Sequence, residues 1–187
     1  KKIVDETANY PTSALRIHAV GEPLLWDSLK EVLCYAKEKN VKNWIFTSAV
    51  TKDDSQLESL ATNCSIIEVS INSFDSSNYK DTKGIDEYEL VKKNLEFLSN
   101  YKKVNKLDCR IIVSRVQSED KEYDQKFVEH WKETGLVDDA FIRSYHDYNH
   151  AISNKLDAKT RESVPCLVHW ARFNVDCSGE VVICFNE

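Results

Sequence analysis

Short runs of alternating or apolar residues recur along the chain, each followed by a stretch of helical period. Leu15-Arg16-Ile17-His18-Ala19-Val20 alternates and stops at a Gly-Glu-Pro turn. Beyond that turn Leu29, Val32, Leu33 and Ala36 repeat at the spacing of one helix face, with Asp27 placed to cap it. Asn43-Trp44-Ile45-Phe46-Thr47-Ser48 predicts a second strand, followed by a polar turn and a short helix around 56–60. Ser65 to Asn72 predicts a third strand, and Tyr88, Leu90, Val91, Leu95 and Leu98 mark the buried stripe of a long helix that Gly84 interrupts near its start. Cys109 to Ser114 predicts a fourth strand, Glu122 to Lys132 a helix stopped by Gly135, and Ala140 to Ser144 a fifth strand. Lys1 to Tyr10 has the look of a helix. Strands alternating with helices of about 10 to 15 residues imply βαβ crossovers and a parallel α/β sheet.

The register changes near Tyr145 to Ser163, which is polar, and Ala171 to Asn186 then alternates like a β-hairpin around Asp176-Cys177-Ser178-Gly179. A boundary near residue 150 follows, giving a main region 1–150 and a small region 151–187.

Composition narrows the function classes. A chain of 187 residues with 42% hydrophobic content can bury a substantial core. A net charge of −6 disfavours a nucleic-acid partner. No apolar run approaches the roughly 20 residues of a membrane span, and Lys1-Lys2-Ile3-Val4-Asp5-Glu6 lacks the apolar middle of a signal peptide. The expectation is a cytoplasmic protein with no membrane partner. The chain opens inside a predicted helix and contains no methionine, which points to an excerpt of a longer protein. Its six cysteines are expected to be reduced, as metal ligands or as buried packing residues.

In parallel α/β folds ligands bind beyond the carboxyl ends of the strands, where loops and helix N-termini present unpaired backbone groups. Polar residues collect at those ends here: Gly21-Glu22-Pro23, Thr47-Ser48, Ser70 with Asn72, Ser114, and Ser144 with His146. Glycine lets backbone approach a ligand closely, proline fixes the turn, and glutamate accepts hydrogen bonds or orients neighbouring N–H groups, so the tripeptide suits an ammonium-bearing ligand. Arg143, Tyr145, His146 and Asp147 lie at the end of the fifth strand, where a substrate would face such a ligand. The five histidines have no zinc-ligand spacing. Asp53-Asp54 and Asp138-Asp139 read as solvated loops or helix N-caps.

Val20-Gly21-Glu22-Pro23-Leu24-Leu25, after a strand and before a helix, resembles the Gly-Gly-Glu-Pro motif of the radical S-adenosylmethionine superfamily, with Val20 in place of the first glycine. Val69-Ser70-Ile71-Asn72-Ser73-Phe74-Asp75 is similar to that family's fourth-strand stretch, and Lys83-Gly84 to its common Arg-Gly. The resemblance implies a partial (β/α)6 TIM-like barrel lacking its first strand, followed by a small C-terminal β-hairpin. It also implies S-adenosylmethionine as cofactor, a [4Fe-4S] cluster, and a 5'-deoxyadenosyl radical that oxidises or modifies a peptide, sugar or other small substrate. A reductant such as flavodoxin or ferredoxin would complete the partners. Gly21, Glu22, Pro23, Ser70, Asn72 and Ser114 are the implied cofactor-binding residues, with strand-end hydrogen bonding as the structural alternative for Asn72 and a solvated charge for Lys83. The CxxxCxxC loop that would ligate the radical cluster is absent from this sequence, so the excerpt itself is expected to be inactive; a cluster-free binding or scaffold barrel is the competing reading.

Cys166, the hairpin Gly179 and Cys184 resemble the start of a SPASM or twitch auxiliary-cluster domain, with Cys177 on the turn as a possible extra ligand. Buried hairpin cysteines and a zinc site at Cys166, Cys177 and Cys184 are the alternatives. Cys34, Cys64 and Cys109 read as structural.

Overall fold

The computed structural model describes residues 1–18, 21–144 and 171–182. It divides into two compact units, Lys1–Arg143 and Ser144–Glu187. The first carries α1 (Lys2–Ala8), β1 (Ala14–Ile17), a 3-10 turn (Pro23–Leu25), α2 (Leu29–Glu38), β2 (Lys42–Thr47), α3 (Asp54–Asn63), β3 (Ile66–Ser70), α4 (Ser76–Lys83), α5 (Tyr88–Val104), β4 (Arg110–Val116), α6 (Lys121–Glu133) and β5 (Asp139–Arg143). Its five strands form one sheet in the order β1-β2-β3-β4-β5, every neighbouring pair parallel. Parallel crossovers share one hand, so a sheet that never reverses its order keeps all its helices on one face, as the wall of a barrel does. This is the expected partial TIM-like barrel.

Alternation along each strand divides the sheet into two faces. Ile45, Ile67, Val69, Ile111, Val113 and Ala140 turn to the helices and join one apolar cluster with Leu33, Leu57, Leu95, Phe127 and Trp131. Fully burying a side chain of this kind contributes about 1.5–3 kcal/mol. Trp131 is buried whole, and its indole Nε1 donates to the carbonyl of Ser73 at 3.0 Å, so the largest core side chain leaves no orphaned donor.

Several local expectations change. Asp27 does not cap α2: Ser28 stands at the N-cap without a side-chain hydrogen bond, and Leu29 N already donates to the carbonyl of Trp26 at 3.0 Å in a turn over 26–29. The long helix is two, since Gly84 ends α4 in the left-handed region at φ 72°. Asp53 does cap α3, accepting from Ser55 N at 2.9 Å. Asp138 is neither solvated loop nor cap; it accepts from Ile111 N and from Lys102 Nζ, each at 2.6 Å, and so pins the start of β5 to β4.

In the second unit β6 (Asn174–Val175) and β7 (Val181–Val182) pair antiparallel, as the hairpin pattern predicts. Asp176 builds the turn: its Oδ1 accepts from Ser178 N, Ser178 Oγ and Glu180 N at 2.7–2.9 Å. Gly179 takes φ 89°, a value that favours glycine.

Candidate functional site

Gly21 opens the loop after β1 at φ 136°; a Cβ there meets nothing within 4 Å, so glycine is required by backbone conformation and not by space. Pro23 then starts the 3-10 turn, where its missing N–H costs nothing. Glu22 is fully engaged. Its Oε1 accepts from Leu24 N at 3.1 Å and from the Thr47 hydroxyl, and its Oε2 accepts from Ser48 N at 2.7 Å and Ser48 Oγ at 2.6 Å. These four bonds occupy the roughly four acceptor positions of a carboxylate. Glu22 thus ties the loop after β1 to the carboxyl end of β2, the orienting role among those its residue type allows. Thr47 also accepts from Ala49 N at 2.9 Å, which extends the brace into the loop after β2.

One strand further, Ser70 ends β3 and receives a hydrogen bond from Lys83 Nζ at 3.0 Å. Burial of Lys83 pushes its amine below the usual lysine value, while the negative charge of Glu22 acts in the opposite direction. Lys83 is therefore not a solvated helix charge. It is a partly desolvated cation at the rim, within the field of Glu22.

Asn72 sits in the left-handed region at φ 61°. Its N–H donates to Ser114 O at 3.3 Å, and its Oδ1 accepts from Val116 N at 3.1 Å, so it staples the end of β3 to β4. Ser114 is buried and pairs in register with Ser70. The structure accordingly gathers Gly21, Glu22 and Pro23 with Thr47 and Ser48, Ser70 with Lys83, and Asn72 with Ser114, all at the carboxyl ends of β1 to β4.

The face of the sheet opposite the helices carries Arg143, which sequence reasoning placed near a substrate, and Glu68, which it passed over. Glu68, at the middle of β3, is wholly buried and forms a two-pronged ion pair with Arg143 at the end of β5, Oε1 accepting from Nε at 2.6 Å and Oε2 from Nη2. The Arg143 guanidinium lies 4.2 Å from the Phe46 ring centroid and 5.0 Å from that of Phe141, and the Arg16 guanidinium lies 4.8 Å from Phe46. The available signal was a charge inside Ile66-Ile67-Glu68-Val69-Ser70, at a position whose neighbours both face the core.

Cys177 is exposed on the hairpin turn. Cys166, Cys184, Tyr145, His146 and Asp147 lie outside the described residues. Cys34 is exposed on α2, whereas Cys64 and Cys109 are buried and their thiols are pushed up by desolvation, as inert packing residues are. Among the described residues no group of three or more His, Cys, Asp or Glu side chains is placed to hold a metal ion, and no helix is long and apolar enough to cross a membrane.

No family model matches this chain, nor does any curated protein. Solved structures do. Streptococcus suis SuiB bound to S-adenosylmethionine superposes with a TM-score of 0.66 at 17% identity, over 83% of this chain and 35% of SuiB. SuiB bound to precursor peptide SuiA gives 0.58 at 19% identity, over 73% and 30%. TYW1 with a lysine-pyruvate adduct bound gives 0.56 at 16% identity, over 78% and 52%. The chain therefore spans only part of each of these proteins. What the likeness establishes is the fold, an α/β partial barrel of the kind implied by the resemblance to radical S-adenosylmethionine enzymes. One of these neighbours holds S-adenosylmethionine.

Proposed function

We propose that this chain is the cofactor-binding barrel of a radical S-adenosylmethionine enzyme. The observation that carries the reading is the pairing of Lys83 with Ser70 beside the Glu22-braced turn, a desolvated cation and a preorganised loop at one strand-end rim. That donor set fits the amino-acid end of S-adenosylmethionine: Lys83 and Ser70 suit its carboxylate or ribose hydroxyls, and the backbone of the Gly21-Glu22-Pro23 turn suits its ammonium group. Because the Glu22 carboxylate is spent on Thr47, Ser48 and Leu24, it acts by fixing the loop.

The bound cofactor would supply a 5'-deoxyadenosyl radical for hydrogen abstraction from the substrate. The described residues do not fit a [4Fe-4S] cluster, since no three thiolates converge among them. Cys166, Cys177 and Cys184 are proposed as the first ligands of an auxiliary cluster, the protein as cytoplasmic, and flavodoxin or ferredoxin as its reductant. A peptide is the favoured substrate class, supported by the peptide bound in the SuiB structure.

The test uses the full-length protein, reconstituted anaerobically with iron and sulfide. Reduction in the presence of S-adenosylmethionine is expected to release 5'-deoxyadenosine. Ser70→Ala and Lys83→Met are each expected to weaken cofactor binding about tenfold, the worth of a hydrogen bond to a charged group. A colourless protein that leaves S-adenosylmethionine intact would sink the reading.

A further inference from the structure

We propose that Arg143, held in place by Glu68, is the anchor for a carboxylate carried by the substrate. The proposal rests on the reading above that this chain is the cofactor-binding barrel of a radical S-adenosylmethionine enzyme.

The pair is built for presentation more than for strength. Glu68 is fully buried, yet the Arg143 side chain keeps 30% of its surface exposed. Nε and Nη2 are committed to Glu68, and among the described residues no other acceptor reaches the guanidinium. Its Nη1 edge therefore still offers the planar donor geometry that recognises carboxylates. The rings of Phe46 and Phe141 flank the group, so it is stiff before any ligand arrives and little side-chain freedom remains to be lost on binding.

Position favours the same conclusion. Arg143 pairs in register with Val116 and Glu68 with Ile112, so the arginine reaches from the strand ends down across β4 into the face, passing the level of Ser114. Ser114 is the register partner of Ser70, which holds Lys83. A group bound at the Ser70 rim and a group bound at Arg143 would thus lie on one face, on β3 and β5 with β4 between them.

The experiment is a titration of the full-length protein, labelled with 15N-arginine, with glutarate as the carboxylate probe and glutaramide as its uncharged control. The Arg143 Nε–Hε resonance, assigned by its loss in Arg143→Lys, is expected to shift saturably with glutarate and to stay in place with glutaramide. Glu68→Gln keeps an acceptor for the guanidinium but removes the competing charge, and is expected to tighten glutarate binding about threefold or more. This second variant decides the matter should Arg143→Lys fail to fold. A resonance unmoved by glutarate, or moved equally by both probes, overturns the proposal, as does a Glu68→Gln protein with unchanged or weaker affinity. S-adenosylmethionine titrated into a parallel sample separates the two readings. Binding of cofactor without glutarate removes only the carboxylate site, whereas glutarate binding without cofactor keeps that site and removes the enzyme reading.

Discussion

The two faces of the sheet differ in what their alternate residues do. Toward the helices, Ile45, Ile67, Val69, Ile111 and Val113 are buried among aliphatic and aromatic side chains, joined by the buried ion pair of Arg115 with Asp124. On the opposite face the same strands place Arg16, Phe46, Glu68, Ser70, Ser114 and Arg143, whose contacts are ion pairs, hydrogen bonds and guanidinium–ring stacks. A barrel wall with no function to host would fill both faces with branched aliphatics. A charge pair is costly to desolvate and is weak evidence for stability. The helix side is not free of charge, since Arg115 pairs with Asp124 at 3.1 Å with both side chains buried; what sets the Glu68–Arg143 pair apart is that its arginine keeps 30% of its surface exposed.

The contrast can be broken from either side. Trp131→Ala strikes the packed face and is expected to lower stability by about 3–5 kcal/mol in a urea titration, since a whole buried ring is removed; a loss below about 1 kcal/mol would mean that this layer is not the core. Glu68→Ala strikes the other face. Because Arg143 is partly exposed and can rehydrate, the cost should be smaller, about 1–3 kcal/mol, and Glu68→Gln should recover part of it. Should Glu68→Ala cost as much as Trp131→Ala, the two faces would be energetically alike and the distinction would fail.

A third substitution sharpens the boundary between the faces. Asp75 caps α4 by accepting from Asn78 N at 2.8 Å and also accepts from the Tyr123 hydroxyl at 2.7 Å. Burial alone would raise its carboxyl, but these bonds and one from Ser73 outweigh it and hold the group below the usual aspartate value. A carboxyl whose folded value is depressed stabilises fully above its unfolded value of about 3.9 and loses that contribution as pH falls through the lower folded value. Asp75→Asn should therefore cost about 1–2 kcal/mol at neutral pH, the difference between hydrogen bonds to a charged and to a neutral acceptor, since asparagine caps as well as aspartate. Unfolding midpoints of variant and wild type should converge below pH 4. The smallest effect is expected at Thr47→Val, about 1 kcal/mol for the hydroxyl that bridges Glu22 and Ala49. The same variant should weaken S-adenosylmethionine binding in calorimetry, which a merely structural hydroxyl far from the rim would not do.

Much of this architecture was legible in the residues themselves. Alternation in Leu15 to Val20, Asn43 to Ser48 and Ser65 to Asn72, each followed by helical spacing, located three strands to within about four residues, and Gly21-Glu22-Pro23 marked the rim. The misses have local causes. Asp27 looked like a cap because sequence spacing cannot show that the Trp26 carbonyl will take the Leu29 N–H first. Asp138 looked solvated because its partners, Ile111 and Lys102, come from β4 and α5.

What the sequence determined by itself was the order and type of the elements and therefore the parallel sheet, because hydrophobic period and turn chemistry act over a few residues. Which carboxylate braces a loop and which holds a cation was decided only by the tertiary fold. Glu22, read either as an acceptor for a ligand or as an orienter of neighbouring N–H groups, takes the second role, its oxygens held by Thr47 and Ser48, some 25 residues away along the chain. Glu68, which no motif marks, meets Arg143 across 75 residues because β3 and β5 flank β4. Such contacts depend on strand order and stagger, which no local pattern encodes, and they decide where charge can be held without water.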